Sequence, residues 1–183
     1  MSIFCICGFS GAGKTTVAKK VSEMLGIHRE LTCTTRPMRF NETDGVDYHF
    51  LKNDTFEYLK KTNKLIAVEE FNVVDNQTFK YGINKNDIDA HNNIVIVVNP
   101  TGVVDLKEKY DNVYSILIDI DDDERIRRIV SRDDSQKPEE IKRRTNADRK
   151  TFNNFEFDFT VANYDLDKCL HEIAKIITQR MEK

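Results

Sequence analysis

Gly8-Phe9-Ser10-Gly11-Ala12-Gly13-Lys14-Thr15 is the stretch that decides the fold. An apolar run, Ile3-Phe4-Cys5-Ile6-Cys7, precedes it, and Thr16 to Leu25 follows with the spacing of a helix. Strand, glycine loop and helix in that order fit the pattern G-x-x-x-x-G-K-[ST] at every position. The pattern has a physical reason. Glycines let the loop turn inward without side chains in the way. Its backbone N–H groups then converge on phosphate oxygens, and the positive end of the next helix favours the same negative charge. Lys14 supplies a mobile cation for the β- and γ-phosphates, and Thr15 a hydroxyl for Mg²⁺. A glycine turn that merely joins strand to helix is the bland alternative, and the flanking elements speak against it.

The whole chain sets bounds on this reading. Its 183 residues suit one α/β domain with a real core. The net charge is -3 with both signs interspersed, so a large nucleic-acid surface is not expected. No stretch reaches the length of a membrane span, and Ile3 to Cys7 is too short for the apolar part of a signal peptide. Cys5, Cys7, Cys33 and Cys169 are too scattered for a disulfide framework or a zinc site, and are expected as small core residues. A reducing, cytoplasmic setting fits. His28, His49, His91 and His171 show no catalytic or metal-ligand spacing.

Outward from the loop, Gly26 stops the first helix and Glu30 to Thr35 is expected as one short strand. A polar, turn-rich segment runs from Thr34 to Phe50, with a tight turn at Asp44-Gly45 and a strand over Tyr48 to Leu51. Asp54 is expected to cap a helix over Thr55 to Thr62. Leu65 to Phe71 and Thr78 to Ile83 are expected strands about a turn at Asp75-Asn76, and Asn84 starts a short helix through Ala90. Ile94-Val95-Ile96-Val97-Val98 has the pattern of a parallel strand buried on both faces, stopping at Asn99-Pro100-Thr101-Gly102. A helix over Val103 to Lys109, a strand over Val113 to Ile120 and a charged helix over Asp122 to Arg132 follow. After a polar break from Asp133 to Pro138 come a basic helix to Asn153, a strand over Phe157 to Val161 and a closing amphipathic helix over Leu166 to Met181. Alternating strands and helices imply a parallel sheet.

Two arginine groups stand out. Arg36 and Arg39 share a loop segment with Tyr48, and guanidinium forks with a phenol hydroxyl make an anion pocket. Arg128, Arg132, Arg143 and Arg144 flank the polar break, where they can fold over bound phosphates. A solvated basic turn and solvated helix faces are the competing readings.

Taken together, these segments resemble the guanylate kinases nearly end to end. The loop Gly8 to Thr16 is similar to that family's G-P-S-G-x-G-K-[ST]-T, with Phe9 in place of proline. Thr34-Thr35-Arg36-Pro37-Met38-Arg39, then Glu42, Asp44-Gly45 and Asp47-Tyr48-His49-Phe50, resembles its T-T-R-x-x-R…E-x-x-G-x-D-Y-x-F stretch. Tyr81-Gly82 resembles its Y-G pair. Val161-Ala162-Asn163 with Asp165-Leu166-Asp167 resembles its V-x-N-D-D-L-D.

The resemblance implies a phosphate-loop nucleoside-monophosphate-kinase fold in one unit of 183 residues. A parallel core sheet flanked by helices takes residues 1–32 and 85–183, a small mixed α/β monophosphate lobe residues 33–84, and a lid residues 132–140. It implies transfer of the γ-phosphoryl of ATP, with Mg²⁺, to a nucleoside monophosphate, GMP or dGMP foremost. By the same resemblance Gly8, Ser10, Gly11, Ala12, Gly13, Lys14, Thr15 and Thr16 hold ATP. Arg128 faces its phosphates and Asn163 lies near its base. Lys14, Arg132 and Arg144 stabilise the phosphate in flight. Arg36, Arg39, Tyr48 and Tyr81 hold the acceptor phosphate, and Thr32 stands where the family has a hydroxyl. Guanine presents two donors side by side, and Glu69 or Glu70 must accept them, with Glu70 taken as the candidate.

The family's D-x-D-x-x-G is Val97-Val98-Asn99-Pro100-Thr101-Gly102 here, so Asn99 stands at the acceptor nucleoside and Val97 near the metal. Ile83 replaces a hydroxyl after Tyr81-Gly82. These departures leave another nucleoside monophosphate or a sugar phosphate as an alternative acceptor. A non-catalytic module that binds phosphorylated peptides is the alternative of another class. The protein is expected to act as a monomer or homodimer without nucleic acid or membrane.

Overall fold

In the computed structural model the residues described are 1–72, 77–132 and 138–181, without the side chains of 132, 138–141 and 144. The expected turn at Asp75-Asn76 and the break over 133–137 lie outside them. The first part of the chain runs β1 (Ser2–Cys7), α1 (Lys14–Leu25), β2 (His28–Glu30). A second group follows: β3 (Cys33–Thr34), β4 (His49–Phe50), α2 (Asn53–Lys61), β5 (Leu65–Asn72), β6 (Thr78–Asn84) and α3 (Lys85–Asp89). The chain then returns through β7 (Asn93–Val97), α4 (Pro100–Lys109), β8 (Val113–Asp119), α5 (Asp122–Arg132), α6 (Pro138–Phe152), β9 (Phe159–Ala162) and α7 (Leu166–Met181).

Five strands make an all-parallel sheet in the order β2-β7-β1-β8-β9. All six residues of β1 are buried, because the strand is central and covered on both faces. On one face Phe4, Ile6, Val95, Ile116 and Ile118 pack against α1 and α7. On the other Ile3, Cys5, Cys7, Ile94 and Ile96 pack against Ile88 of α3 and Val103 and Leu106 of α4. The four cysteines are free and buried, and burial pushes the Cys7 and Cys33 thiols up to about 12. Such thiols are core residues, not nucleophiles. Among the described residues no helix is long and apolar enough to cross a membrane.

The second sheet, β4-β3-β6-β5, is built between β2 and α3 and pairs antiparallel except for β3 with β4. Its own small core is Cys33, Phe56 and Leu65. Three sequence expectations change here. The strand expected over Glu30 to Thr35 is two strands, β2 in the core sheet and β3 in the second, because Leu31-Thr32 carries the chain from one to the other. Asp54 does not cap α2. Lys52 holds that position and the helix starts at Asn53, leaving Asp54 in the first turn, where an acid suits the helix dipole. Strand β7 stops before Asn99 as expected, but the helix expected over Val103 to Lys109, α4, begins earlier, at Pro100. Asn99 caps it by accepting the Gly102 N–H at 3.0 Å, and Pro100 occupies the first turn, where its missing N–H loses nothing.

Glu30, on the edge strand β2, is an acid inside this framework, with its side chain 1% exposed. One carboxyl oxygen lies 3.2 Å from His28 Nε2, and the other has no hydrogen-bond partner among the described residues. Burial, followed by the nearby Asp87 carboxylate, pushes the Glu30 carboxyl up to about 8, against the Leu31 amide. The folded protein therefore keeps a proton that the unfolded chain releases near pH 4.5. The stability this group contributes is full below pH 4.5 and is lost as pH rises through about 8. Glu30→Gln stays neutral throughout, and His28 is common to both proteins. We expect the Tm of Glu30→Gln to gain steadily on that of the wild type from pH 4.5 to about 8. Thermal melts followed by circular dichroism check this, and a pH-independent difference contradicts it.

Candidate active site

The phosphate loop joins β1 to α1 at the carboxyl end of the central strand, where open parallel sheets bind their ligands. Gly13 takes φ 94° and Gly11 φ 87°, both in the left-handed region. Space excludes a side chain there as well. A Cβ on Gly13 would lie 2.6 Å from Asn163 Nδ2, and one on Gly11 2.6 Å from the Arg125 carbonyl oxygen. The loop is held from outside. Asn163, buried, donates Nδ2–H to the Ala12 carbonyl at 2.7 Å. Arg125, fully buried, donates to the Ser10 carbonyl at 3.2 Å and to Asp122 at 2.7 Å, with its guanidinium 5.5 Å from the centre of the Phe9 ring.

These placements refine the reading of the sequence. Asn163 sits against the loop backbone. Arg128 binds Glu124 at 2.9 Å and the Asn163 carbonyl at 2.9 Å, beside the start of α1. Lys14 donates from Nζ to the Phe9 carbonyl at 3.0 Å. Thr15 is exposed, and Thr16 is half-buried. Ser10 donates its backbone N–H to Asp148 Oδ2 at 2.7 Å. The side chains of Arg132 and Arg144 lie outside the described residues. Arg125 and Asp148 were missed by the sequence reading. For Arg125 one signal exists: Ile129 stands one helical turn on, on the same inward face.

Across the cleft, Arg36 forms a two-pronged pair with Glu42 at 2.9 and 2.8 Å and also donates to the Pro37 carbonyl. Its guanidinium lies 5.3 Å from the Tyr48 ring centre and 5.6 Å from that of Phe50. Glu42 also accepts the Arg39 backbone N–H at 2.8 Å and lies 3.8 Å from its guanidinium. Burial opposes ionisation of Glu42, but Arg36 and Arg39 outweigh it and hold its carboxyl below the ordinary range. Asp44 and Asp47 accept the Phe50 and Thr43 backbone N–H groups, so the acids of this segment shape the loop and set the arginines. Burial and Tyr81 push the Tyr48 phenol up, which keeps it a donor.

One cleft of about 170 Å³ brings the two sides together. Gly8 and Lys14 line it from the phosphate loop, Tyr48, Tyr81 and Glu69 from the second sheet, and Thr32, Val97 and Asn99 from the core. Glu70 is not in it. Glu70 points to the opposite face of β5 and pairs with Lys60 at 2.8 Å in solvent. Glu69 faces inward, with Oε2 accepting the Asn99 side-chain N–H at 2.5 Å. Burial raises its carboxyl above the ordinary range, against the lowering bonds from Asn99 and Thr101. The cause of the exchange is a bulge. Pairing of β5 with β6 slips between Ile66 and Glu69, and Ala67 takes φ 52°, so simple alternation fails there. Ile83 and Val97 keep two walls of the cleft apolar. Among the described residues no three His, Cys, Asp or Glu side chains converge to hold a metal.

A family model described as Guanylate kinase matches residues 1–180. A guanylate kinase of Thermotoga maritima is 30% identical over 187 residues, covering 99% of this chain and 88% of its own length. One of Chlorobaculum tepidum is 34% identical over 178 residues, covering 93% and 88%. Among solved structures, a guanylate kinase from Anaplasma phagocytophilum has the same fold, with a TM-score of 0.72 at 21% identity over 100% of this chain and 87% of that one. The family model spans both the phosphate loop and the facing arginine segment, and on that match the chain belongs to the guanylate kinase family.

Proposed function

We propose that the protein transfers the γ-phosphoryl group of ATP to GMP, giving ADP and GDP. The observation that carries this is the cleft that Lys14, Tyr48, Tyr81 and the half-buried Glu69 share. The phosphate loop takes the donor. Arg36, Arg39, Tyr48 and Tyr81 take the acceptor phosphate, two guanidinium groups and two phenols suiting a dianion. Thr32 and Asn99 flank the acceptor nucleoside. Glu69 meets the base in place of Glu70: its two oxygens accept guanine N1–H and the 2-amino group, with the side chain oriented by Asn99. Adenine presents a lone pair at N1 and no 2-amino group, so the same carboxylate repels it.

The acceptor phosphate brings its own nucleophilic oxygen, so the reaction needs neither a general base nor a covalent enzyme intermediate. The acceptor oxygen attacks in line, and the protein's task is to position groups and spread charge. Lys14 leaves the Phe9 carbonyl for the phosphates, joined by Arg128, Arg132 and Arg144. The exposed Thr15 hydroxyl would hold Mg²⁺, which when bound would supply charge neutralisation at the phosphates; a single hydroxyl suits an ion that keeps most of its waters where Val97 offers no carboxylate.

Coupled ADP-release assays test this with GMP, AMP, CMP and UMP as acceptors. We expect GMP to be preferred, and Glu69→Gln to erode that preference by about tenfold or more in kcat/KM. Glu70→Gln should leave it unchanged. Equal rates with all four acceptors would refute the guanine assignment. Lys14→Ala should lower kcat by about 10²-fold or more while GMP binding, followed by calorimetry, stays near the wild-type value. A variant that keeps full turnover would remove Lys14 from the reaction.

A further inference from the structure

The phosphate loop already holds an anion that belongs to the protein. Asp148 lies on α6, and its Oδ2 accepts the Ser10 backbone N–H at 2.7 Å. That amide is a donor of the phosphate loop, and the Asp148 that takes it lines the same cleft as Gly8 and Lys14. The bond is short and charge-assisted, and it sits in a half-buried cleft wall where water screens it poorly. Nor is Asp148 a chance visitor. Phe152, one helical turn further along α6, stacks on Phe9 with ring centres 4.6 Å apart. Arg149, next to Asp148, pairs with Asp122 at 2.6 Å, and Asp122 in turn pairs with the Arg125 that supports the loop. The helix is thus docked on the loop along its length, and Asp148 is its one carboxylate lining the cleft opposite Lys14 among the described residues.

We propose that Asp148 is a built-in competitor for the nucleotide polyphosphate: in the ligand-free protein its carboxylate occupies a donor of the phosphate loop, and binding of a triphosphate displaces it. The proposal rests on the reading of the loop as the ATP site. The physical ground is that a carboxylate and a phosphate oxygen repel each other and cannot share one N–H at hydrogen-bond distance. The stopper also satisfies a loop amide while no ligand is present, so the open loop does not hold an unpaired donor. Part of the binding energy of the triphosphate is then used to expel Asp148.

Calorimetric titration of the full chain with inorganic tripolyphosphate and with a non-hydrolysable ATP analogue plus Mg²⁺ tests this on the wild type, Asp148→Asn and Asp148→Ala. Removal of the charge should tighten both probes by about fivefold or more. The KM for ATP should fall while the KM for GMP stays unmoved. Unchanged or weaker binding in folded variants overturns the proposal, weaker binding meaning that Asp148 helps to hold the nucleotide. In the wild type, the side-chain carboxyl ¹³C signal of Asp148 should shift as tripolyphosphate saturates the protein, a readout independent of how the variants fold. An unmoved signal overturns the proposal. If none of the three proteins binds either probe, the assignment of the loop to ATP fails and the proposal falls with it. If the wild type binds and the variants match it, the stopper alone fails.

Discussion

A backbone that turns several N–H groups toward one point gains nothing from doing so until an anion arrives, and it needs support from outside. Here the support comes from two buried side chains at distant places in the sequence. Asn163, just after β9, holds the Ala12 carbonyl, and Arg125 of α5 holds that of Ser10. Each donor takes a carbonyl of the loop and none of its N–H groups. The glycines are the complement of this support. At positions 11 and 13 a Cβ would collide with those same two residues or their backbone. Loop, α5 and the segment after β9 therefore form one unit, and the shape of the loop is set by residues far from it in the chain.

The acids of the second sheet follow a similar division of labour. Glu42 holds the guanidinium of Arg36 and the backbone of Arg39 at once, so two cations that would repel each other are kept side by side. Burying Arg36 is possible only because its charge is matched in this way, and the aromatic faces of Tyr48 and Phe50 cover the rest. Arg36 is thus fixed by the fold itself, with its side-chain entropy largely lost on folding.

Much of this was legible from residues alone, because the signals were local. The glycine loop, the β-branched run of β7 and the spacing of Arg36, Arg39 and Tyr48 each carry their meaning within a few positions. What failed depended on tertiary context. Arg125 sits in a helix so charged that its residues suggest a solvated face, yet it is fully buried, because the phosphate loop supplies a carbonyl and Asp122 a counter-charge. Asp148 is equally ordinary in sequence, and only the docking of α6 brings it to Ser10. The choice between Glu69 and Glu70 turned on a bulge that no propensity announces, since Ala67 is a non-glycine residue at positive φ.

That bulge also decides which of two acids lines the cleft. Neighbouring acids on one strand point to opposite sides, and which of them looks inward is fixed by a single extra residue in the pairing of β5 with β6. Flattening that bulge into plain alternation, with no residue removed, would turn Glu70 into the cleft and send Glu69 outward, leaving the inventory of charges untouched. Strand registry alone can thus exchange the acid that lines the cleft, with every motif residue still in place.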